Sequence, residues 1–113
     1  MTDTPSLPGE TRVFYRNIKP YDVPEQLDEL RGPSSGQMTL PINVYWGPWS
    51  IVDLDIHSDL VKAYQATLRE GRVGDQVLLL NRDLLVRIWP ELMLPARVRQ
   101  LWESRFPELF VAA

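Results

Sequence analysis

Residues 77–110, VLLLNRDLLVRIWPELMLPARVRQLWESRFPELF, constrain the fold most, because prolines and one asparagine divide them into helical pieces. A first piece runs over residues 75–80. A second starts at Asn81, whose side-chain oxygen can accept from the free amides of a new first turn, a cap worth about 1 kcal/mol. It is expected to end at Trp89, since Pro90 disfavours helical geometry in the residue before it. A third starts at Pro95, where a missing N–H costs nothing because first-turn amides are unpaired anyway. Pro107 is expected to end it at Arg105 or Phe106. The apolar residues of this third piece, Val98, Leu101, Trp102, Phe106, Leu109 and Phe110, recur at spacings of three and four and form one stripe. Arg97, Arg99, Gln100, Glu103 and Ser104 take the other face. In contrast, Leu78, Leu79, Leu80, Leu84, Leu85, Val86, Ile88 and Trp89 cover most of the circumference of the second piece. That pattern predicts a central core helix; the alternative is a helix with one face kept for a partner.

A chain of 113 residues is one domain at most, and it can bury about two-thirds of its extended surface. With no cysteine, neither a disulfide framework nor a thiolate metal site can form. No apolar run approaches the roughly 20 residues a membrane span needs. The opening MTDTPSLPGE is polar and acidic, unlike a signal peptide, so a cytoplasmic location is expected. Charge is uneven. Residues 1–59 hold four Lys/Arg against nine Asp/Glu, a balance of −5, whereas residues 60–113 hold eight against six, a balance of +2. The total of −3 argues against a freestanding nucleic-acid binder, since phosphate neutralisation supplies most of that affinity. The acidic first half suits a basic partner surface or ordinary solvation of loops.

Proline and glycine set the organisation upstream. Residues 1–11 are expected to be disordered, and residues 12–113 to form a single small domain, extended and irregular over 12–57 and helical over 58–110. RVFYRNI at 12–18 reads as a short strand. Residues 24–30 read as a short helix opened by Pro24 and closed by Gly32. RGPSSG at 31–36 is a turn by composition; no Lys-Ser/Thr follows, so it is not a phosphate-binding loop. MTLPINVYW at 38–46 has strand character that Pro41 confines to an edge or splits. With residues 49–54 it predicts a hairpin around the Gly47-Pro48 turn. Asp55 or Ser58 is expected to cap the next helix, which runs to about Glu70 with Leu60, Val61, Tyr64 and Leu68 as its buried stripe. Gly71 is expected to close it in the left-handed conformation. The fold class predicted is mainly α: a small helical domain with an irregular, Pro-rich N-terminal half that holds a short β-hairpin.

Few residues point to chemistry. One histidine, His57, and no cysteine preclude a zinc site or a Ser/His/Asp triad. Asp53 and Asp55 are the sharpest catalytic pair, since residues two apart on a strand share a face and two carboxylates can hold Mg²⁺ for nucleotidyl transfer. The Gly-Ser turn such enzymes place well upstream is missing, because Gly47 and Ser50 are not adjacent and lie too close. A loop-to-helix junction is the reading taken, with no catalytic residue, metal or cofactor expected. Of the four tryptophans, Trp46 and Trp49 flank the Gly-Pro turn, so at least one is expected at the surface. Trp102 stands beside Arg99 and Arg105 at helical spacing, a mixture found at interface hot spots.

LRGPSSG, LPINVYW, VDLDI, YQATLREG, LNRDLLVRIWPEL and LPARVRQLWESRFPEL together resemble small actinobacterial proteins encoded beside AbiEii-like nucleotidyltransferase toxins, the antitoxins of mycobacterial Men-type toxin–antitoxin pairs. The resemblance covers residues 30–110. It implies an antitoxin that binds and neutralises a toxin adding nucleotides to tRNA, and it supplies no catalytic residues. Many antitoxins of this toxin class carry a winged-helix DNA-binding domain. None is read here, so control of its own operon does not follow. The resemblance also implies an electropositive toxin cleft that accepts a triphosphate and a tRNA end. Two modes of blocking it are open. Asp22, Glu25, Asp28 and Glu29 can compete with phosphates, or the C-terminal helix can dock through Trp102 and Phe106 with Arg99 and Arg105 pairing to carboxylates. The helix is the expected anchor, as a preformed element loses less entropy on binding. Two alternatives are a DNA-binding regulator that docks the Arg97/Arg99/Arg105 helix in a groove, and a minimal metal-dependent nucleotidyltransferase using Asp53 and Asp55.

Overall fold

A computed structural model describes residues 21–112, and the side chains of 21–109. The readings of residues 1–11 as disordered and of 12–18 as a strand lie outside the described residues, and that of Phe110 as part of the apolar stripe concerns a side chain outside the described ones. The architecture is mainly α, with one small antiparallel hairpin: strands β1 (Gln37–Thr39) and β2 (Ile51–Asp53) precede helices α1 (His57–Glu70), α2 (Val73–Leu79), α3 (Arg82–Ile88), α4 (Ala96–Arg105) and α5 (Pro107–Ala112). Two 3₁₀ turns, Leu27–Glu29 and Trp89–Glu91, complete it. Residues 24–30 thus hold a single 3₁₀ turn and not the short α-helix expected. Among the described residues, no helix is long and apolar enough to cross a membrane.

The hairpin forms with Met38 opposite Val52 and Thr39 opposite Ile51. Val52 turns into the core, and Ile51 turns out, as the two-residue strand period requires. Pro41 limits β1: the last cross-strand bond is from Leu40 N–H to the Ser50 carbonyl (2.8 Å). Helix α1 packs its Leu60, Ala63, Tyr64 and Leu68 inward against β2 and α2. Buried Thr67 satisfies its hydroxyl by donating to the Ala63 carbonyl one turn back. Neither Asp55 nor Ser58 caps α1; its N-cap is Ile56, without a side-chain bond. Asp55 is taken by the Gly36 amide (3.3 Å), a donor nineteen residues away. Gly71 is also not left-handed, with φ −79° and ψ 151°. Space explains the glycine, because a Cβ there would lie 2.7 Å from the Thr67 carbonyl oxygen.

Segment 31–32 lies along the end of α2, where Arg31 N–H donates to the Val77 carbonyl and Gly32 N–H to that of Leu80. A Cβ on Gly32 would meet the Leu79 carbonyl group at 2.4 Å, so only glycine allows this approach. Asn81 caps α3 as expected, its side chain accepting from Leu84 N–H at 3.1 Å. Leu84, Leu85 and Ile88 are buried, so α3 is a core helix. Pro90 does not force Trp89 out of helical geometry (φ −50°, ψ −45°). The chain instead tightens there into the 3₁₀ turn. Helix α4 ends at Arg105, as Pro107 predicts, and Pro107 then opens α5. Helix α5 folds back onto α4 and α3.

Tyr64 joins two of these layers. Its hydroxyl, wholly buried, accepts from Asn81 N–H at 2.8 Å. Burial pushes its pKa up to about 12. The folded state therefore holds the phenolic proton more tightly than the unfolded chain does. This contribution is complete below about pH 10, the free tyrosine value, and is lost as pH rises toward 12. Stability is expected to fall by about 1.4 kcal/mol per pH unit across that window. Denaturant titrations at stepped alkaline pH check it; the Tyr64→Phe variant should lose that slope.

Candidate partner-binding surface

The helix expected to face a partner faces inward. Trp102 is 0% exposed and Phe106 is buried beside it. Their rings lie 5.5 Å apart, and Trp89 sits 6.4 Å from Trp102 on the other side. Both side chains are core, because α5 folds against α4 and the Trp89 ring lies against Trp102. Their expected role as exposed anchors does not fit this fold: Trp102 has no exposed surface, and Phe106 only 4%. Arg99 is also turned inward. It donates to the Leu92 and Trp89 carbonyls and to Glu103, and its guanidinium lies 5.0 Å from the Trp89 ring centroid. Glu103 in turn accepts from the Trp89 indole N–H (2.8 Å). Arg99 is thus a brace between α4 and the 3₁₀ turn, and the basic face needed for groove docking loses its central residue.

Arg105 is exposed, and the fold brings it together with Glu25 and Asp28 from the acidic half. These three line an open cleft of about 270 Å³ with Glu108, and Phe106 forms part of its wall. Arg82 reaches both Asp28 (3.6 Å) and Glu108 (3.8 Å). Charges of both signs therefore neutralise one another there, and exposed pairs of this kind contribute little. Asp22 and Glu29 are half-buried. The Asp22 carbonyl accepts from buried Gln76 (2.9 Å), a structural contact.

Asp53 and Asp55 do not form the same-face pair a metal site needs. Strand β2 stops at Asp53, so the two-residue strand period does not extend to Asp55. Asp55 N–H donates to the Asp53 carboxylate (2.9 Å), Asp53 N–H donates to Asp59 (3.0 Å), and Asp55 accepts from Gly36. Among the described residues, no group of three or more His, Cys, Asp or Glu side chains is placed to hold a metal ion. His57 contacts Glu91 at 2.5 Å, linking the start of α1 to the 3₁₀ turn.

Of the large apolar side chains exposed among the described residues, Ile56, Val73, Leu78 and Met93 are scattered, whereas four others lie close together in sequence in the hairpin. Trp46 is 83% exposed and Trp49 75%, with Ile42 and Ile51 also outward. Four large apolar residues within ten positions mark a surface that water alone does not favour. The loop that carries them is held at several points. Val44 and Tyr45 N–H groups both donate to the Pro41 carbonyl. Asn43 donates to Asp75 at the start of α2 (2.7 Å). Lys62 of α1 donates to the Trp49 carbonyl (3.1 Å), and its ammonium lies 4.5 Å from the Tyr45 ring centroid. The inward residues Leu40 and Val44 are buried in the core. The backbone is thus fixed from inside, and the indoles project outward. The Gly-Pro turn flags the two tryptophans in the sequence. Ile42, Ile51 and the tethering role of Lys62 have no comparable signal, because a strand alternation broken by Pro41 does not tell inward from outward. The comparisons with known proteins return no matching family model, curated protein or solved structure.

Proposed function

We propose that this chain is an antitoxin that binds and neutralises a cognate AbiEii-like nucleotidyltransferase toxin acting on tRNA, docking through the hairpin loop. The observation that carries the binding surface is the pair of outward indoles, Trp46 and Trp49, on a loop tied to α1 and α2. Tryptophan is the residue most enriched at binding hot spots, and a loop already held loses less entropy when a partner orders it. The nature of the partner rests on the resemblance carried by residues 30–110. The test is co-purification of the chain with the product of the adjacent gene, followed by an assay of nucleotide addition to tRNA. A stable complex with lost transferase activity supports the reading, and an adjacent product that neither binds nor is inhibited overturns it.

On this reading Asp53 and Asp55 are loop-bracing groups. Changing both to Asn keeps an oxygen to accept each of the amides described above. The double variant is expected to stay within about 0.5 kcal/mol of wild-type stability and to protect cells from the toxin as wild type does. A growth assay with circular dichroism checks this; a folded variant that no longer protects would give these carboxylates a direct role.

A further inference from the structure

The hairpin has two edges, and α1 covers one of them. Leu40 N–H donates to the Ser50 carbonyl, Leu54 N–H donates to the Gly36 carbonyl, and Met38 stands opposite Val52. Residues 36, 38 and 40 therefore bond across to β2, while Gln37 and Thr39 turn their N–H and C=O groups the other way. Trp49, Ile51 and Asp53 do the same on the far side of β2. There α1 meets them: Asp59 accepts from Asp53 N–H (3.0 Å), and Lys62 donates to the Trp49 carbonyl (3.1 Å). The β1 side has no such cover. Among the described residues nothing bonds the outward backbone groups of Gln37 and Thr39, and both residues are exposed. Proteins blunt open edges with charge or proline. Residues 32–52, however, hold no charged side chain, in a chain where 24% of residues are charged. Pro33 and Pro41 stand to either side of Gln37–Thr39 and leave those three residues unguarded.

We propose that β1 pairs edge to edge with β1 of a second copy of this chain, giving a four-stranded antiparallel sheet across a two-fold axis at Met38. The edge is self-complementary, as a two-fold contact requires. With Met38 facing its own counterpart, Gln37 of each copy lies opposite Thr39 of the other, and each such pair exchanges two N–H···O=C bonds. All the outward groups of both edges are then satisfied at once. The Gln37 and Thr39 side chains also fall opposite one another on the exposed face, where polar cross-strand pairs add to the pairing. Charge selects a second copy as the occupant. Two chains of net charge −3 repel, and the uncharged span is where they meet at least cost. A charged segment of another protein finds no opposite charge along this edge. Two three-residue edges bury less than the roughly 1,000 Å² of a stable interface, so the pairing is weak and depends on concentration. Trp46 and Trp49 lie outside it, in the loop before β2, one strand removed from the axis. The pairing does not depend on the toxin-binding reading.

The test combines sedimentation velocity of the full chain, from dilute to near-millimolar concentration, with amide exchange followed by NMR over the same range. Monomer is expected when dilute and dimer when concentrated, and exchange of the Gln37 and Thr39 amides should slow at least about fivefold as dimer forms. Thr39→Pro removes an outward N–H that makes no bond to β2, a change that edge strands tolerate. Thr39→Lys places on the edge the charge that natural edges carry. It also moves the net charge from −3 to −2, so a lost dimer cannot come from greater overall repulsion. Both variants should weaken dimerisation at least about tenfold, and circular dichroism should confirm that they fold. The Trp46→Ala/Trp49→Ala variant should dimerise as wild type does. The proposal is overturned if the chain stays monomeric throughout, or if both Thr39 variants fold and dimerise as wild type. Protection of the two amides that is equal at every concentration would mean that a single chain covers its own edge, and would overturn it as well. Dimerisation that the double tryptophan variant abolishes and the Thr39 variants retain would place the contact on the apolar loop, with the same result. The experiment contains no toxin, so failure here leaves the toxin-binding reading standing.

Discussion

Replacing Trp102 by alanine is expected to lower the free energy of unfolding by about 3–5 kcal/mol, the range for deleting a fully buried aromatic side chain. Trp102 has no exposed surface and is packed between Trp89 and Phe106. Helix α5 packs against α4 beside it, and a cavity of that size does not collapse around closely packed neighbours. Domains of this size have only about 5–15 kcal/mol in total, so the variant should stand near the limit of folding. Trp102→Phe should cost less, since it retains a ring against both neighbours. Its lost indole N–H has no hydrogen-bond partner among the described residues. Arg105→Ala, at an exposed site, should stay within about 0.5 kcal/mol of wild type. Urea denaturation followed by circular dichroism separates the three. An unchanged midpoint for Trp102→Ala would mean that the C-terminal helices do not pack as described. Weakened toxin binding by Trp102→Ala would report on folding and carry no information about contact.

Local chemistry was readable where one or two residues decide it. Asn81 captures an amide three residues on, and Pro95 and Pro107 mark the ends of α4, because these effects need no information from the rest of the chain. The core helix expected from Asn81 to Trp89, observed over Arg82–Ile88, and the short hairpin follow from composition and period alone. Other features depended on partners distant in sequence. Asp55 looked like a cap, but the Gly36 amide holds its carboxylate. Gly71 looked like a left-handed terminator, whereas its role is to leave room for a carbonyl. Val98, Trp102 and Phe106 of the expected stripe are buried, Leu101 is half-buried, and Leu109 belongs to α5. A periodicity names a face that must be covered without saying whether the same chain covers it. Here Pro107 returns the chain as α5 and closes the face from within. Arg99 turns inward for a related reason: the Trp89 and Leu92 carbonyls, at the start of the Trp89–Glu91 turn and just past its end, provide it with internal acceptors. The hairpin surface was half readable. The Gly-Pro turn announced exposed tryptophan, but the tethers from Lys62 and Asp75 are contacts between elements.

Exchanging both Trp46 and Trp49 for alanine should leave the fold intact and weaken the proposed toxin complex by about 4 kcal/mol, taking about 2 kcal/mol for each indole as a hot spot. That corresponds to roughly a thousandfold in dissociation constant. The fold should tolerate the change because these side chains are largely in water already, and the bonds that hold the loop come from other groups. Those bonds are from Leu40, Val44 and Tyr45 backbone, the Asn43 side chain, and Lys62 to the Trp49 carbonyl, which alanine retains. The loss should fall mainly on the dissociation rate, as it does for centrally placed contacts. Neutralising Glu25 and Asp28 in the mixed-charge cleft beside Arg105, by contrast, should change association rate and salt dependence more than affinity.

Calorimetric titration of the purified toxin with the wild-type chain, the Trp46→Ala/Trp49→Ala variant and Arg105→Ala tests the central claim most directly. Circular dichroism should confirm that all three are folded. Tight binding by wild type and Arg105→Ala, with affinity reduced roughly a thousandfold in the double tryptophan variant, is the predicted result; a folded double variant that binds the toxin as tightly as wild type would contradict it.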